Sequence, residues 1–191
     1  MENKEADTFC PASRQEWRQW LQENHSKKQS VWLIYYKVKT GKSSLVWSEA
    51  VDEALCFGWI DSKAVSIDEG SFKQFFCPRK PKSVWSKINK EKVKRLTEEG
   101  LMTPAGQRCI DIAKQNGYWS ILDEVEELII PDDLMKELEA RPGAKEFFIN
   151  HSPSVRKLAL YKIAVVKRPE TRQKRIVEIA EQAARKEKPS A

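Results

Sequence analysis

Four cations, an indole and three small polar groups crowd into Pro78-Arg79-Lys80-Pro81-Lys82-Ser83-Val84-Trp85-Ser86-Lys87-Ile88-Asn89. Two prolines oppose a regular element here, so Arg79, Lys80 and Lys82 sit on a stiff loop. Trp85 offers a ring beside the hydroxyls of Ser83 and Ser86 and the amide of Asn89. A phosphate or carboxylate ligand stacked on an indole wants such a set. The same residues also read as structure: Trp85 in the core, Ser83 or Ser86 capping a helix, and the cations in water. Both readings stand at this point.

A second segment is Ala54-Leu55-Cys56-Phe57-Gly58-Trp59-Ile60-Asp61-Ser62. Gly58 lets a helix turn sharply into a strand, and Trp59 and Asp61 then share one strand face. Asp61 beside an indole can receive Arg79, as a structural ion pair or as half of a polar pocket. Catalysis by Asp61 as a general acid or base needs a raised pKa or a nearby base, and neither is legible. His25 and His151 share no motif with a cysteine or serine, so no nucleophile-and-base set is assigned. Gly41-Lys42-Ser43 imitates the end of a phosphate-binding loop, but its first glycine would fall at Tyr36. Cys10, Cys56, Cys77 and Cys109 contain no Cys-x-x-Cys pair, which leaves zinc and dithiol chemistry without local support. No metal, cofactor or catalytic residue is assigned.

The elements that must position these residues fall into two halves. Ser13 caps a helix carrying Trp17, Trp20 and Leu21, with Glu16 reaching back. Val31 to Val38 reads as a strand, and Leu45 to Trp47 as a short returning one. Ser48 then caps a helix over Glu49 to Phe57 with an apolar stripe of Ala50, Val51, Ala54 and Leu55. Strands follow from Trp59 to Ile67 and from Ser71 to Phe76. Beyond Cys77 the periodicity is helical. Asn89 caps Lys90 to Glu99, Gly100 ends it, and Thr103-Pro104 opens a helix that Asn116-Gly117 stops. Further helices start at Pro131, at Ser152-Pro153 with Val155, Leu158, Ala159, Ile163 and Val166 on one side, and at Pro169 with Ile176, Ile179, Ala180 and Ala183. The fold class is α+β: a small, mainly antiparallel sheet with helices in front, then an all-helical C-terminal module. The expected layout is a disordered leader over 1–12, an α+β domain over 13–117, a linker over 118–130 and a helical module over 131–187.

The chain has 191 residues with 34 Lys and Arg, 28 Asp and Glu, and a formal charge of +6. Its 7 Trp, 7 Phe and 4 Tyr can build a substantial core, which excludes wholesale disorder. No apolar run approaches the roughly 20 residues of a bilayer span, so membrane insertion is not expected. Met1 to Ser13 carries no hydrophobic segment, and the expected location is the cytosol. Charge is blocked: Lys73 to Arg95 is strongly basic, Asp111 to Glu139 acidic, and Val155 to Lys188 basic again. These blocks either attract one another or leave a basic surface for nucleic acid.

The segments Ala54–Asp61 and Pro78–Asn89, followed by Gly100-Leu101-Met102-Thr103-Pro104-Ala105-Gly106, resemble the bacterial YdeI/OmpD-associated family, also called bacteriocin-protection proteins. The stretch from Ile130-Pro131-Asp132-Asp133 to Glu170-Thr171-Arg172-Gln173-Lys174-Arg175-Ile176 looks like that family's helical C-terminal module. Cys77 and Ser62 depart from residues common there, Thr and Gly. The resemblance implies a role in envelope stress and bacteriocin tolerance, and supplies no reaction, cofactor or catalytic set. The expectation is therefore a non-enzymatic, cytosolic, stress- or defence-associated binding protein. It would use Trp59, Asp61, Arg79, Lys80, Lys82, Ser83, Trp85, Ser86 and Asn89 to hold an anionic small molecule or an acidic protein surface. A nucleic-acid-binding accessory protein is the second reading, and a small enzyme using Asp61 the third.

Overall fold

The computed structural model describes residues 7–42 and 45–188. Residues 1–6 of the expected leader, Ser43 of the Gly-Lys-Ser triplet and the last three residues lie outside them. The chain divides into two compact units. The first holds the residues up to Ser83 together with Ile88–Tyr118, and the second holds Val84–Lys87 with everything from Trp119 onward.

In the first unit, β1 (Thr8–Phe9), β2 (Val31–Tyr36), β3 (Trp59–Ser66) and β4 (Ser71–Pro78) form one sheet in the order β1-β2-β4-β3. The β2–β4 and β3–β4 pairs are antiparallel, and β1 joins β2 in parallel. Composition alone reads residues 1–12 as a disordered leader, yet Thr8–Phe9 takes up the β2 edge. Phe9 explains it: its ring stacks on Trp20 at 6.0 Å, so burial favours ordering this short strand.

Helix α1 (Arg14–Asn24) starts where the Ser13 hydroxyl accepts from the Glu16 amide at 3.2 Å, and the Glu16 carboxylate accepts from Ala12 N–H. Its buried edge places Trp17 against Phe76 of β4, with ring centroids 5.5 Å apart. The Trp17 indole N–H donates to Ala50 O at 3.0 Å. The expected strand at Leu45–Trp47 is absent. Trp47 instead opens α2 (Trp47–Cys56), because the Glu49 carboxylate accepts from Val46 N–H and fixes the start two residues earlier than a Ser48 cap would. All of α2 from Ala50 to Cys56 is buried, two acids included. Each acid is held by two cations: Asp52 by Lys92 and Arg95, Glu53 by Arg14 at 2.6 Å and Arg18 at 2.5 Å. The unit closes with α3 (Lys87–Glu98) and α4 (Pro104–Gln115). The α3 helix begins at Lys87, earlier than the expected Asn89 cap, and Gly100 follows it at φ +69°.

The second unit is wholly helical beyond Trp119: α5 (Asp123–Glu126), α6 (Asp132–Glu139), α7 (Ala144–Ile149), α8 (Pro153–Ala164) and α9 (Pro169–Ala184). Its core is built by Leu134, Leu138, Phe148, Leu160, Ile163 and Ile176 among others. Leu122 and Val125, from the stretch expected as a linker over 118–130, lie in that core. On α8 the buried side is Ala159, Leu160 and Ile163, while Leu158 is 39% exposed. The acidic block pairs inside this unit, Glu126 with Lys157 at 2.6 Å and Asp133 with Arg172 at 2.8 Å. Among the described residues no helix is long and apolar enough to cross a membrane.

Candidate functional site

The chemistry-bearing segments converge in the first unit, and main-chain groups draw them together. Thr103 caps α4 by accepting from Gly106 N–H at 3.4 Å, and its hydroxyl donates to Cys56 O at 2.6 Å. Thr103 N–H reaches the same carbonyl at 3.2 Å. The end of α2 is thereby tied to the start of α4. Gly106 permits it: a Cβ there would lie 2.3 Å from Cys56 O. Gly58, at φ +74°, makes the turn into β3, and its carbonyl accepts from Arg79 N–H at 2.9 Å. So Ala54–Asp61, the Pro78–Arg79 corner and Gly100–Gly106 meet around one point.

A cleft of about 230 Å³ opens there, lined by His25, Phe57, Trp59, Arg79, Arg108 and Cys109 among others. A neighbouring cleft of about 340 Å³ shares His25, Phe57 and Arg108 and adds Arg18. Trp59 is fixed by donation from its indole N–H to His25 O at 3.2 Å. His25 Nδ1 lies 2.9 Å from Leu21 O at the end of α1. Arg18 sits over the Phe57 ring at 5.4 Å.

Arg79 dominates the electrostatics. Only 9% exposed, its guanidinium is pulled down to about 10, first by desolvation, against the attraction of Cys109, Asp61 and Cys77. Burial pushes the Cys109 thiol up even with Arg79 nearby, so it stays protonated at neutral pH and supplies no full counter-charge. Burial likewise pushes the Cys56 thiol up to about 11. Arg108 brings a second, exposed cation to the mouth. The arrangement suits a small anion: one desolvated planar fork, one exposed guanidinium at the rim and aromatic walls.

Of the residues expected to act together, Trp59 and Arg79 line this cleft. Asp61 accepts from Trp47 Nε1 at 3.1 Å and from Gln74 Nε2 at 3.0 Å. Those partners hold it as an acceptor, and they lend no support to an acid–base role. Lys80 and Lys82 are exposed on the turn closed by Ser83 N–H to Lys80 O at 2.9 Å, and Asn89 lies half-buried on α3. Trp85 and Ser86 belong to the second unit, where Trp85 is 2% exposed with its ring 5.0 Å from that of Trp119. The stacking face expected of Trp85 is therefore used inside that unit. Sequence reasoning missed His25, Phe57, Arg108 and Cys109. A weak signal existed for Arg108 and Cys109, one helical turn beyond Pro104-Ala105. Among the described residues no group of three or more His, Cys, Asp or Glu could hold a metal ion.

A family model described as "Bacteriocin-protection, YdeI or OmpD-Associated" matches residues 127–186, the helical second unit from just after α5. A model described as "Domain of unknown function (DUF8412)" matches residues 9–109, which hold the sheet and every residue of the cleft named above. No curated protein and no solved structure matches the chain.

Proposed function

From its membership in the DUF8412 family, to which the chain belongs over more than half its length, and from the bacteriocin-protection module behind it, we propose a non-enzymatic binding protein of stress or defence. Its first unit holds an anionic small molecule, a phosphate or carboxylate compound, in the cleft over Arg79. The observation that supports this is a buried guanidinium whose desolvation outweighs the attraction around it, lining a cleft whose mouth carries Arg108. An anion entering there regains the energy that burial took from the charge, which gives the site its preference. Retention in the cytosol is part of the same reading.

The test is a thermal-shift titration of the full chain with phosphate, small di- and tricarboxylates and nucleotides, at low and high salt. Binding to the folded state stabilises it by about 2.7 kcal/mol at a hundredfold excess over Kd. A saturable shift that survives salt and is lost in Arg79→Met and weakened in Arg108→Gln is expected. An equal shift in both variants, or none with any anion, would overturn the proposal.

A further inference from the structure

The sheet of the first unit has a second face, apart from the Arg79 cleft. Alternation in β2 sends Val31, Leu33 and Tyr35 into the core, and Trp32, Ile34 and Tyr36 to the other side. The register pairs Trp32 with Phe75 of β4 and Ile34 with Lys73, so Phe75 and Lys73 share that outer face. Trp32, Tyr36 and Phe75 are half-buried there, and Val65 of β3 is 43% exposed. The Trp32 and Phe75 rings meet edge to face at 5.0 Å.

Lysines cover these rings. Lys73 Nζ lies 4.8 Å from the centre of the Trp32 ring, and Lys63 Nζ lies 5.4 Å from Trp32 and 5.9 Å from Phe75. Lys42 sits 4.6 Å over Tyr36. The face continues past Trp32 and Lys73 into a cleft of about 710 Å³ that reaches Lys28, Asn24 and Trp20. Asp7 is the acid lining that cleft, and it is paired with Lys28 at 2.6 Å.

We infer that this face binds single-stranded nucleic acid. Aromatic rings on a pleated surface accept two or three unstacked bases, and flexible lysines beside them neutralise the phosphates between. A bare apolar docking face would carry no such cations. A small-anion pocket would not line three aromatics along a strand pair. The lysines that shield the rings in the free protein swing to the backbone when a base stacks, so cation–π contact is exchanged for ion pairing and stacking. A duplex offers no free base face, which makes strandedness the discriminating property.

The experiment is fluorescence anisotropy of the full chain with labelled oligo-dT and oligo-U of about 12 nucleotides. A duplex of the same length and polyglutamate serve as competitors. Single strands are expected to bind and the duplex to compete poorly. Trp32→Leu, which keeps an apolar filler, is expected to weaken binding about tenfold or more. Lys63→Gln with Lys73→Gln, both changes at exposed or half-exposed chain positions, is expected to flatten the log–log salt slope by about 1.4. Because neither lysine is buried, the pair keeps the test open should Trp32→Leu misfold, with circular dichroism as the check on both variants. The inference is overturned by no binding, by equal competition from duplex or polyglutamate, or by binding that none of these variants changes.

Discussion

Replacing Arg79 by methionine separates a guanidinium kept for a ligand from one kept for the fold. The side chain is about nine-tenths buried, and its pKa stands at about 10, well below arginine's ordinary value. Each tenfold in a protonation equilibrium is about 1.4 kcal/mol, so that displacement corresponds to about 3 kcal/mol by which the folded protein disfavours the charge. Methionine fills a similar volume and carries no charge to desolvate. Against this stands the attraction to Asp61 lost with the guanidinium, about 0.5–1.5 kcal/mol on the scale of one polar contact, or more where charge assists. The balance leaves Arg79→Met as stable as the parent or up to about 2 kcal/mol more so. In urea, with a slope of about 2 kcal/mol/M, the midpoint would hold or rise by as much as about 1 M. The same variant loses the anion-induced shift. A midpoint lowered by about 0.5 M or more, with slope unchanged, would show that Arg79 tethers the corner, and would refute the reasoning.

Other substitutions test the surroundings. Gly106→Ala places a methyl against Cys56 O, a backbone atom with little room to yield, and should cost about 1–3 kcal/mol in thermal or urea unfolding. Unchanged stability would mean that α2 and α4 are not held as close as described. Glu53, 2% exposed between Arg14 and Arg18, should cost about 2–3 kcal/mol as Glu53→Gln, whereas Lys145→Gln in its exposed pair with Glu139 should leave the midpoint unmoved. Hydrogen bonding to Lys157 holds the Glu126 carboxyl below its ordinary 4.5. A depressed folded-state value means stability present above about pH 4.5 and lost as pH falls through the lower, folded value. Glu126→Gln should therefore flatten the acid limb of the stability profile, and an identical limb in the variant would count against the pair.

Local chemistry makes several elements legible in the amino-acid sequence alone. The Ser13 cap, Thr103-Pro104, Ser152-Pro153 and Pro169 mark helix starts through contacts within a few residues, and each helix begins there. Helices α5 and α7 span four and six residues, too short for an apolar period to register. Trp47 reads as strand because Leu45-Val46-Trp47 is a short apolar run before a plausible Ser48 cap, while one carboxylate on Val46 N–H decides for helix. At the site, Arg79 and Trp59 are legible by type. Which indole faces a cleft is not, since Trp85 is settled by Trp119, far along the chain. Arg108 carries only the charge of an exposed helix position until the Cys56–Thr103 tie places α4 beside Gly58.

The assignment of Val84–Lys87 to the second unit, with chain of the first on both sides, has a consequence for anyone dividing the protein. A cut after Tyr118 follows the later boundary yet strands Val84 and Trp85 on the wrong fragment. The first piece would then display a large apolar ring between Pro81 and the start of α3, and the second would lack the partner of Trp119. Neither fragment reproduces its unit. Melting of the helical unit must also release Trp85, so heat or urea acting on one reaches into the sequence of the other. The pair is better handled, cloned and denatured as one chain than as two modules on a string.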